Sequence, residues 1–396
     1  MKRVLTPTLA ALGLAACSDA PSGVAGPASP ERLATPAAPV FTKAGRGIEG
    51  DYIVVFKDAV TDALTKADQK ILRHGGTAKF KYDKVLKGFA ATLSPGAVAM
   101  LQSDPDVAYI EQDGVMEAST TQSGATWGID RIDQRARPLS GTYTYTSTGA
   151  GVTAYIIDTG IQTSHPQFGG RAAAVYDAIG DGRNGQDCNG HGTHVAGTVG
   201  SATYGVAKGV ALRAVRVLNC SGSGSTSGVI AGMNWVAANH VARAVANMSL
   251  GGGYSSSTNT AANNLAASGV FLAVAAGNSS ADACNSSPSS AANTTTVAAS
   301  TSTDARASYS NYGGCVDLYA PGSSITSTWI NSGTNTISGT SMATPHVTGV
   351  AALYKATYGD ASYATIRSWL TSNATANVIT GNVSGTPNRL LYKAGL

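Results

Sequence analysis

The chain has 396 residues, of which 13% are charged and 47 are glycine, and its mean hydropathy is +0.01. This composition excludes a disordered polyampholyte and a membrane protein with several spans. The length leaves room for more than one domain. A formal net charge of +4 is too small to indicate a nucleic-acid partner.

The N-terminus has the features of an export signal. Lys2 and Arg3 precede an apolar run, Val4 to Ala16, that is too short to cross a bilayer as a helix. The run ends in Leu14-Ala15-Ala16-Cys17, which resembles a bacterial lipobox, where the cysteine is lipidated after cleavage. We predict a signal peptide over residues 1–17 with Cys17 lipidated, in a protein secreted by way of a transient envelope anchor. Ordinary secretion, with Cys17 uninvolved, is the alternative.

The composition of the chain changes near residue 118. Residues 18–48 are rich in Ala, Pro, Ser and Gly, which predicts a flexible tether. Residues 1–119 carry 13 basic and 13 acidic side chains, whereas residues 120–396 carry 14 basic and 10 acidic ones without any Glu. We interpret this shift as a boundary between two independently folding units, residues 49–119 and 120–396. Chance drift along one domain is the alternative.

The first unit predicts a small α+β fold in the order β-α-β-β-α-β. A helical pattern over Thr61–His74 stops at two glycines, and Ser94 caps a second helix that begins with Pro95. Four strands are expected, at Tyr52–Phe56, Thr77–Tyr82, Gly88–Leu93 and Val107–Ile110. This order is that of the ferredoxin-like split fold.

The second unit predicts an α/β fold with a mostly parallel sheet and helices on both faces. Apolar runs suited to buried parallel strands recur, each followed by a Gly- or Ser-rich loop and a helix-like stretch. The runs are Val152–Ile157, Ala211–Val217, Ala244–Met248 and Val270–Ala275. Chemistry in such sheets collects at the carboxyl ends of the strands, and Asp158 follows the first run directly.

Three short strings, far apart in sequence, supply an acid, a histidine and a serine. They are Asp158-Thr159-Gly160, His191-Gly192-Thr193-His194 and Gly339-Thr340-Ser341-Met342-Ala343. A serine hydroxyl needs a base to take its proton, and the base needs a partner that fixes its tautomer. Taken singly, each string also fits a structural explanation: a turn, a buried histidine or a helix cap. Together they predict a hydrolase with Asp158, His191 and Ser341 as acid, base and nucleophile.

Two further features bear on this candidate site. Asn278 follows the fourth apolar run, and its side chain could stabilise the oxyanion of acyl transfer together with the Ser341 N–H. His191 and His194 lie beside Cys188, which offers a zinc site as the alternative, although no third ligand is evident. We therefore expect no catalytic metal, and a buried, hydrogen-bonded structural role for His194.

Cysteine usage agrees with export. Apart from Cys17 there are four cysteines, an even number for an oxidising compartment. Three pairings are open to them. The local one, Cys188–Cys220 with Cys284–Cys315, would close two loops of about thirty residues, each stabilising by roughly 3–4 kcal/mol in the chain-entropy model.

From residue 120 onward the chain resembles the subtilisin-like serine proteases of the proteinase K branch, and the aqualysin type fits best. The resemblance covers nearly the whole unit and rests on seven stretches: Trp127–Gln134, Asp158–Gly160, Asp187–Thr198, Ala246–Gly252, Ala275–Asn278, Ser310–Gly313 and Gly339–His346. It implies a serine endopeptidase that cleaves polypeptides through an acyl-enzyme, with Asp158, His191 and Ser341 as the triad and Asn278 as the oxyanion residue. It also implies the local disulfide pairing. We expect a monomer.

Residues 50–117 resemble the subtilisin prosegment, which first assists folding and then inhibits its own enzyme. Self-processing is expected at Ser119–Thr120, where the similarity to mature enzymes begins. A lipid anchor would then stay with the prosegment. The alternative is a permanent second domain.

Two stretches resemble the walls of the family's primary specificity pocket, and neither carries a charged side chain. They are Ser249-Leu250-Gly251 and Ala275-Ala276-Gly277. The resemblance therefore implies broad cleavage after apolar or aromatic residues. The backbone of Gly251-Gly252-Gly253 could add an extended peptide as a strand.

Calcium is expected as a structural cofactor. Asp317 matches the strong calcium site of proteinase K, whose other ligands are backbone carbonyls, here those of Ala292 and Thr294. Asp130, Asp133 and Gln134 resemble a second site of cold-active relatives, but Ser140 and Thr142 replace the expected acidic or amide ligands. Asp177, Asp181 and Asp187 are a third candidate cluster, and solvated loop acids are the alternative explanation.

Two other classes of function compete with the protease. One is a catalytically silent relative that serves as a binding module, which nothing at the catalytic positions supports. The other is a metal-dependent hydrolase built on His191 and His194.

Overall fold

The computed structural model describes residues 37–42, 47–114 and 120–396, and the chain separates into two units, Met1–Val115 and Met116–Leu396. The predicted signal peptide, Cys17 and Ser119 lie outside the described residues. Within the described ranges, no helix combines the length and the apolar character that a membrane span needs.

The first unit has the predicted β-α-β-β-α-β order, with one added strand at its edge. Within its described part, the elements are β1 (Val40–Phe41), β2 (Gly47–Phe56), α1 (Ala63–His74), β3 (Thr77–Tyr82), β4 (Gly88–Thr92), α2 (Pro95–Gln102) and β5 (Val107–Gly114). The sheet order is β1-β5-β2-β4-β3, with β1 parallel to β5 and the other neighbours antiparallel. Asp62 caps α1, so the helix begins two residues later than its periodicity predicts.

Strand β1 corrects the C-terminal end of the flexible tether predicted over residues 18–48, whereas residues 18–36 and 43–46 lie outside the described residues. Val40–Phe41 pairs with β5, and the Ala38 N–H donates to the Gln102 carbonyl at 2.7 Å. Strand β2 also begins at Gly47, inside the predicted tether. The edge of β5 offers unpaired backbone groups, and pairing with them orders residues that composition alone marks as flexible.

Residues 120–396, all of them described, contain a mostly parallel sheet of nine strands. The order is β19-β20-β16-β15-β13-β11-β8-β10-β9, and only β19 and β20 pair antiparallel. The strands of this sheet are β8 (Thr153–Asp158), β9 (Ala172–Asp177), β10 (Ala211–Arg216), β11 (Ala244–Met248), β13 (Phe271–Ala275), β15 (Thr295–Ser300), β16 (Leu318–Pro321), β19 (Thr375–Ala376) and β20 (Arg389–Leu390). The four predicted runs are β8, β10, β11 and β13.

Short antiparallel pairs complete the strands of this unit. They are β6 (Thr120–Ser123) with β7 (Thr142–Tyr145), β12 (Gly252–Gly253) with β14 (Ser286–Ser287), and β17 (Ile325–Trp329) with β18 (Gly333–Ile337). The helices are α3 (Trp127–Asp133), α4 (His191–Gly200), α5 (Thr226–Asn239), α6 (Ser256–Ala267), α7 (Thr340–Tyr358) and α8 (Tyr363–Asn373).

Helices cover both faces of the sheet, as predicted. Alternate residues of β8 point to opposite sides: Ile156 packs in a core with α4, α7 and α8, and Ile157 in a second core with α5 and α6. Helix α7 carries mostly small or apolar residues around its circumference, and it is buried along most of its length. Such a helix belongs at the centre of a core, and it carries Ser341 in its first turn.

Candidate active site

Asp158 is the last residue of β8, and its side chain is completely buried. Its Oδ1 atom accepts hydrogen bonds from His191 Nδ1 and from the Thr159 N–H, each at 2.7 Å. A buried carboxylate needs such partners, and the contact leaves Nε2 as the ring nitrogen free to take a proton.

His191 is the first residue of α4, where the backbone turns through a left-handed glycine. Gly190 has φ = 110°, and a Cβ there would lie 2.3 Å from the Trp329 ring. Glycine is therefore needed at this position to let the helix begin with His191 beside Asp158. Burial acts to lower the pKa of His191, but the charge and hydrogen bond of Asp158 and the charge of Asp187 outweigh it. The net effect raises the pKa.

Ser341 is the second residue of α7, so it is not the helix cap that the structural explanation of its string assumed. Its hydroxyl donates to the Ser249 carbonyl at 3.0 Å, and its own carbonyl accepts from the Ser249 hydroxyl at 2.7 Å. Pro345 explains the second contact, because it lacks the N–H that would bond the Ser341 carbonyl within the helix. No hydrogen bond in the described residues joins Ser341 to His191. Catalytic contacts of this type are often loose until substrate binds.

Ser249 is itself held by a buried chain of side chains. Asn247 Nδ2 donates to the Ser249 hydroxyl at 2.8 Å, and the Thr348 hydroxyl donates to Asn247 Oδ1 at 2.9 Å. The chain links the end of β11 to the middle of α7. It thereby holds Ser341 in a defined position relative to the end of β11.

Asn278 lies beyond the end of β13 with its amide oriented by a neighbour. Its Oδ1 accepts from the Thr340 N–H at 2.8 Å and from the Thr340 hydroxyl at 2.9 Å. These contacts leave its Nδ2 group without a hydrogen-bond partner in the described residues. The Ser341 N–H is equally free, because the first turn of a helix leaves its N–H groups unpaired. Two donors are thus available beside the Ser341 hydroxyl.

Two adjoining cavities flank these residues and share the wall Leu250–Gly253. The smaller has a volume of about 330 Å³ and is lined by Ser341, Asn278, Leu250, Gly251, Ala275, Ala276 and Gly277, among others. The larger, of about 610 Å³, is lined by His191, Ser249 and Gly222–Gly224, among others. Five of the six predicted pocket residues therefore line the cavity that Ser341 also lines. Ser249 lines the adjoining cavity.

His194 has the buried, hydrogen-bonded position that its sequence predicts. Its Nε2 atom lies 3.0 Å from the Ile325 carbonyl, and burial lowers its pKa to about 4. Cys188 forms a disulfide with Cys220, and Cys284 forms one with Cys315. The local pairing implied by the resemblance is therefore present. With these groups engaged, the described residues contain no cluster of three metal-ligating side chains around His191.

The two weaker calcium candidates are occupied by the protein's own donors. Asp130 accepts hydrogen bonds from the Ser140 N–H and hydroxyl and from the Gly141 N–H. Asp177 and Asp181 are both paired with Arg216. These carboxylates already have the partners that a cation would supply.

Asp187, the remaining acid of that cluster, connects the loops of the site. Its carboxylate accepts from the Thr159 hydroxyl at 2.9 Å and the Thr193 hydroxyl at 2.6 Å, and from the N–H groups of residues 189, 190 and 193. It thereby joins the end of β8 to the start of α4. Sequence analysis missed this role, and no spacing signal distinguishes Asp187 from a metal ligand.

At the calcium site that the resemblance predicts around Asp317, the carboxylate and one carbonyl are engaged by groups of the protein itself. One Asp317 oxygen accepts from Nε and Nη2 of Arg367 at 2.8 and 2.5 Å, and the other from the Thr296 N–H at 2.8 Å. The Thr294 carbonyl accepts from the Tyr363 hydroxyl at 2.6 Å. Ala292, the third predicted ligand, is exposed. Calcium needs free oxygen ligands, and two of the three predicted ones are engaged here.

Comparison with known proteins agrees with this geometry. Residues 149–391 match the model of the subtilase family, and residues 51–119 match the model of the peptidase inhibitor I9. An extracellular serine proteinase of Thermus sp. (strain Rt41A) is 51% identical over 97% of this chain and 97% of its own. A cuticle-degrading protease of Metarhizium anisopliae is 49% identical over 94% of this chain and 97% of its own.

A solved structure extends the likeness to the fold. The crystal structure of a cold-adapted subtilisin-like serine proteinase is 53% identical, with a TM-score of 0.67. The match covers 68% of this chain and 99% of that one.

Proposed function

This chain belongs to the subtilase family of serine proteinases, and we propose that it is an exported endopeptidase with Asp158, His191 and Ser341 as its triad. The observation that carries the assignment is the Asp158–His191 contact, with His191 lining the larger cavity and Ser341 lining the smaller one beside it. The raised pKa of His191 suits a general base that accepts a proton and then returns it.

The reaction follows from the donors and acceptors of the site. Ser341 Oγ attacks the scissile carbonyl carbon as its proton passes to His191 Nε2, and Asp158 stabilises the imidazolium. The oxyanion accepts hydrogen bonds from Asn278 Nδ2 and the Ser341 N–H. His191 then protonates the leaving amine, and the acyl-enzyme forms. Water deprotonated by His191 hydrolyses the acyl-enzyme and regenerates Ser341.

Substrate preference follows from the walls of the smaller cavity. None of its lining residues carries a charge, and Gly251, Ala275, Ala276 and Gly277 leave room for a large side chain. An apolar or aromatic residue before the cleaved bond gains by burial there and finds no ionic partner. An extended peptide could lie in the larger cavity between Gly252–Gly253 and Gly222–Gly224, where it would pair with the exposed backbone of Gly252–Gly253.

The first unit is proposed to act as a prosegment. Its match to the peptidase inhibitor I9 model supports an intramolecular inhibitor, and the match ends at residue 119. Self-cleavage near Ser119–Thr120 would release the mature enzyme. The extracellular Thermus relative supports secretion. The proposal also includes removal of a signal peptide, lipidation at Cys17 and a monomeric state.

The decisive experiment is Ser341→Ala, with Ser257→Ala as the matched control. Ser257 is an exposed serine on α6, away from the nucleophile. We expect Ser341→Ala to lose casein hydrolysis by at least about 10⁴-fold, to lose labelling by a fluorophosphonate, and to persist as the full-length precursor on gels. The control should be processed and active.

The competing functions give different results in the same assay. A metal-dependent hydrolase keeps its activity in Ser341→Ala and loses it in EDTA. A binding module shows no labelling even in the unaltered protein. Either result would falsify the proposed mechanism.

A further inference from the structure

Asp317 lies just before β16, and its side chain is almost completely buried. Such a carboxylate needs a cation or several donors to offset its lost hydration. In this chain both needs are met from within the protein. Arg367 places two N–H groups on one carboxylate oxygen, and the Thr296 N–H bonds the other.

The partner of Asp317 comes from one face of α8. Tyr363 and Arg367 are four residues apart, so both project from the same side of the helix. The Tyr363 hydroxyl bonds the Thr294 carbonyl, while the Arg367 guanidinium bonds Asp317 and lies 6.0 Å from the Tyr363 ring centroid. The two side chains thus engage the acid and one of the carbonyls on which a cation would depend.

We propose that the Arg367 guanidinium stands in for a structural calcium ion at Asp317, so that this position is stabilised without a metal. Bidentate binding of calcium would need the Asp317 oxygen that already accepts two N–H groups, so the guanidinium and the ion compete for that oxygen. A planar guanidinium satisfies a carboxylate with fixed donors, and it never loses its charge at physiological pH.

The charge around Asp317 favours this arrangement further. Arg389 of β20 lines the same cavity of about 400 Å³ as Asp317 and Arg367. A calcium ion entering there would have to displace one guanidinium and then lie near a second. Asp317 is the only acid among the residues that line this cavity. A dication in this cavity would be attracted by one carboxylate and repelled by two guanidinium groups.

The test is the number of calcium ions bound per chain. Purified protein, treated with a fluorophosphonate to stop self-digestion, is titrated with CaCl₂ in a calorimeter, and its melting is recorded in CaCl₂ and in EDTA. The variants are Asp317→Asn, Arg367→Ala, and the two substitutions together. Arg389→Ala is the matched control, because Arg389 shares the cavity but makes no hydrogen bond to Asp317.

We expect the unaltered protein, Asp317→Asn and Arg389→Ala to bind the same number of calcium ions. Arg367→Ala should bind one more, with its melting temperature at least about 2 °C higher in saturating calcium than in EDTA, relative to the same difference in the unaltered protein. The double variant should lose the added ion, since Asp317 would hold it.

Two results overturn the proposal. If Asp317→Asn binds one ion fewer than the unaltered protein, Asp317 already holds calcium with Arg367 present. If Arg367→Ala is folded and gains no ion, the guanidinium is not the group that replaces the metal. Should Arg367→Ala fail to fold, the comparison of Asp317→Asn with the unaltered protein still decides.

Discussion

The two units of this chain differ in where they place their charged side chains. In the described part of the first unit, charges are dense and several pairs lie at the surface, such as Lys81 with Asp68 and Lys66 with Asp106. In the second unit charges are sparse, but the side chains of Arg131 and Arg216 are completely buried against aspartates. Two disulfides lie in the second unit as well.

The difference indicates how each unit is held together. Exposed ion pairs contribute little to stability, whereas removing one partner of a buried pair leaves a charge without compensation. Under the proposed function, the first unit needs to fold only for processing and inhibition, while the exported enzyme must resist unfolding and digestion. Four experiments test this contrast, beginning with the largest expected change.

Acid should destabilise the second unit through two buried histidines. Burial lowers the pKa of His194 and of His346 to about 4 in the folded state, against about 6.5 in an unfolded chain. Above pH 6.5 neither state binds the proton, so stability is complete. Between pH 6.5 and 4 only the unfolded chain binds the proton. By pH 4 each histidine has therefore lowered the free energy of unfolding by about 3 kcal/mol.

The measurement is urea unfolding of the fluorophosphonate-treated enzyme at several pH values. His346→Gln should flatten the decline of stability with falling pH. His240→Gln, at a partly exposed position, is the control and should leave the decline unchanged. An identical pH dependence in both variants would contradict the assignment.

Truncating a buried arginine should have the next largest effect. Arg131 donates to both oxygens of Asp304, at 2.7 and 3.2 Å, and its side chain is fully buried. Arg131→Ala leaves that carboxylate without its cation, so we expect a loss of about 3–5 kcal/mol in chemical unfolding. Arg183→Ala, which removes a half-exposed arginine, should change nothing measurable. Equal losses would remove the distinction between buried and exposed pairs.

A third experiment asks whether a partly buried charge of the second unit, Asp187, acts on catalysis. Asp187 contributes to the raised pKa of His191. Because the base must be neutral to act, Asp187→Asn should move the acid limb of the kcat/KM profile to lower pH by a fraction of a unit. Asp181→Asn is the control, since its carboxylate pairs with Arg216. A limb that stays in place in Asp187→Asn would show that the acid serves structure alone.

The smallest effect is expected for the exposed pair of the first unit. Lys81 and Asp68 are both exposed, with the ion pair at 2.9 Å. Lys81→Ala should reduce stability by less than about 1 kcal/mol, and high salt should remove the difference. A loss comparable to that of Arg131→Ala would mean that the two units do not differ in the way described.

Much of this fold was predictable from local pattern. The four apolar runs of the second unit are strands, and the β-α-β-β-α-β order of the first unit is present, because alternation and caps act within about ten residues. The ordered strand at Val40–Phe41 escaped prediction. Its order comes from the open edge of β5, some seventy residues away, and not from its own composition.

The candidate site, like the fold, was predictable from the sequence only in part. The proposed acid, base and nucleophile could be selected from the sequence, because each stands beside glycines that a close turn requires. The partners of the other acids could not, because they come from elements far apart in the chain. Asp187 bonds the loops of the site and Asp317 bonds Arg367, although both had been candidate calcium ligands. A carboxylate looks the same in sequence whether a metal or a guanidinium faces it, because packing between distant helices and strands selects the partner.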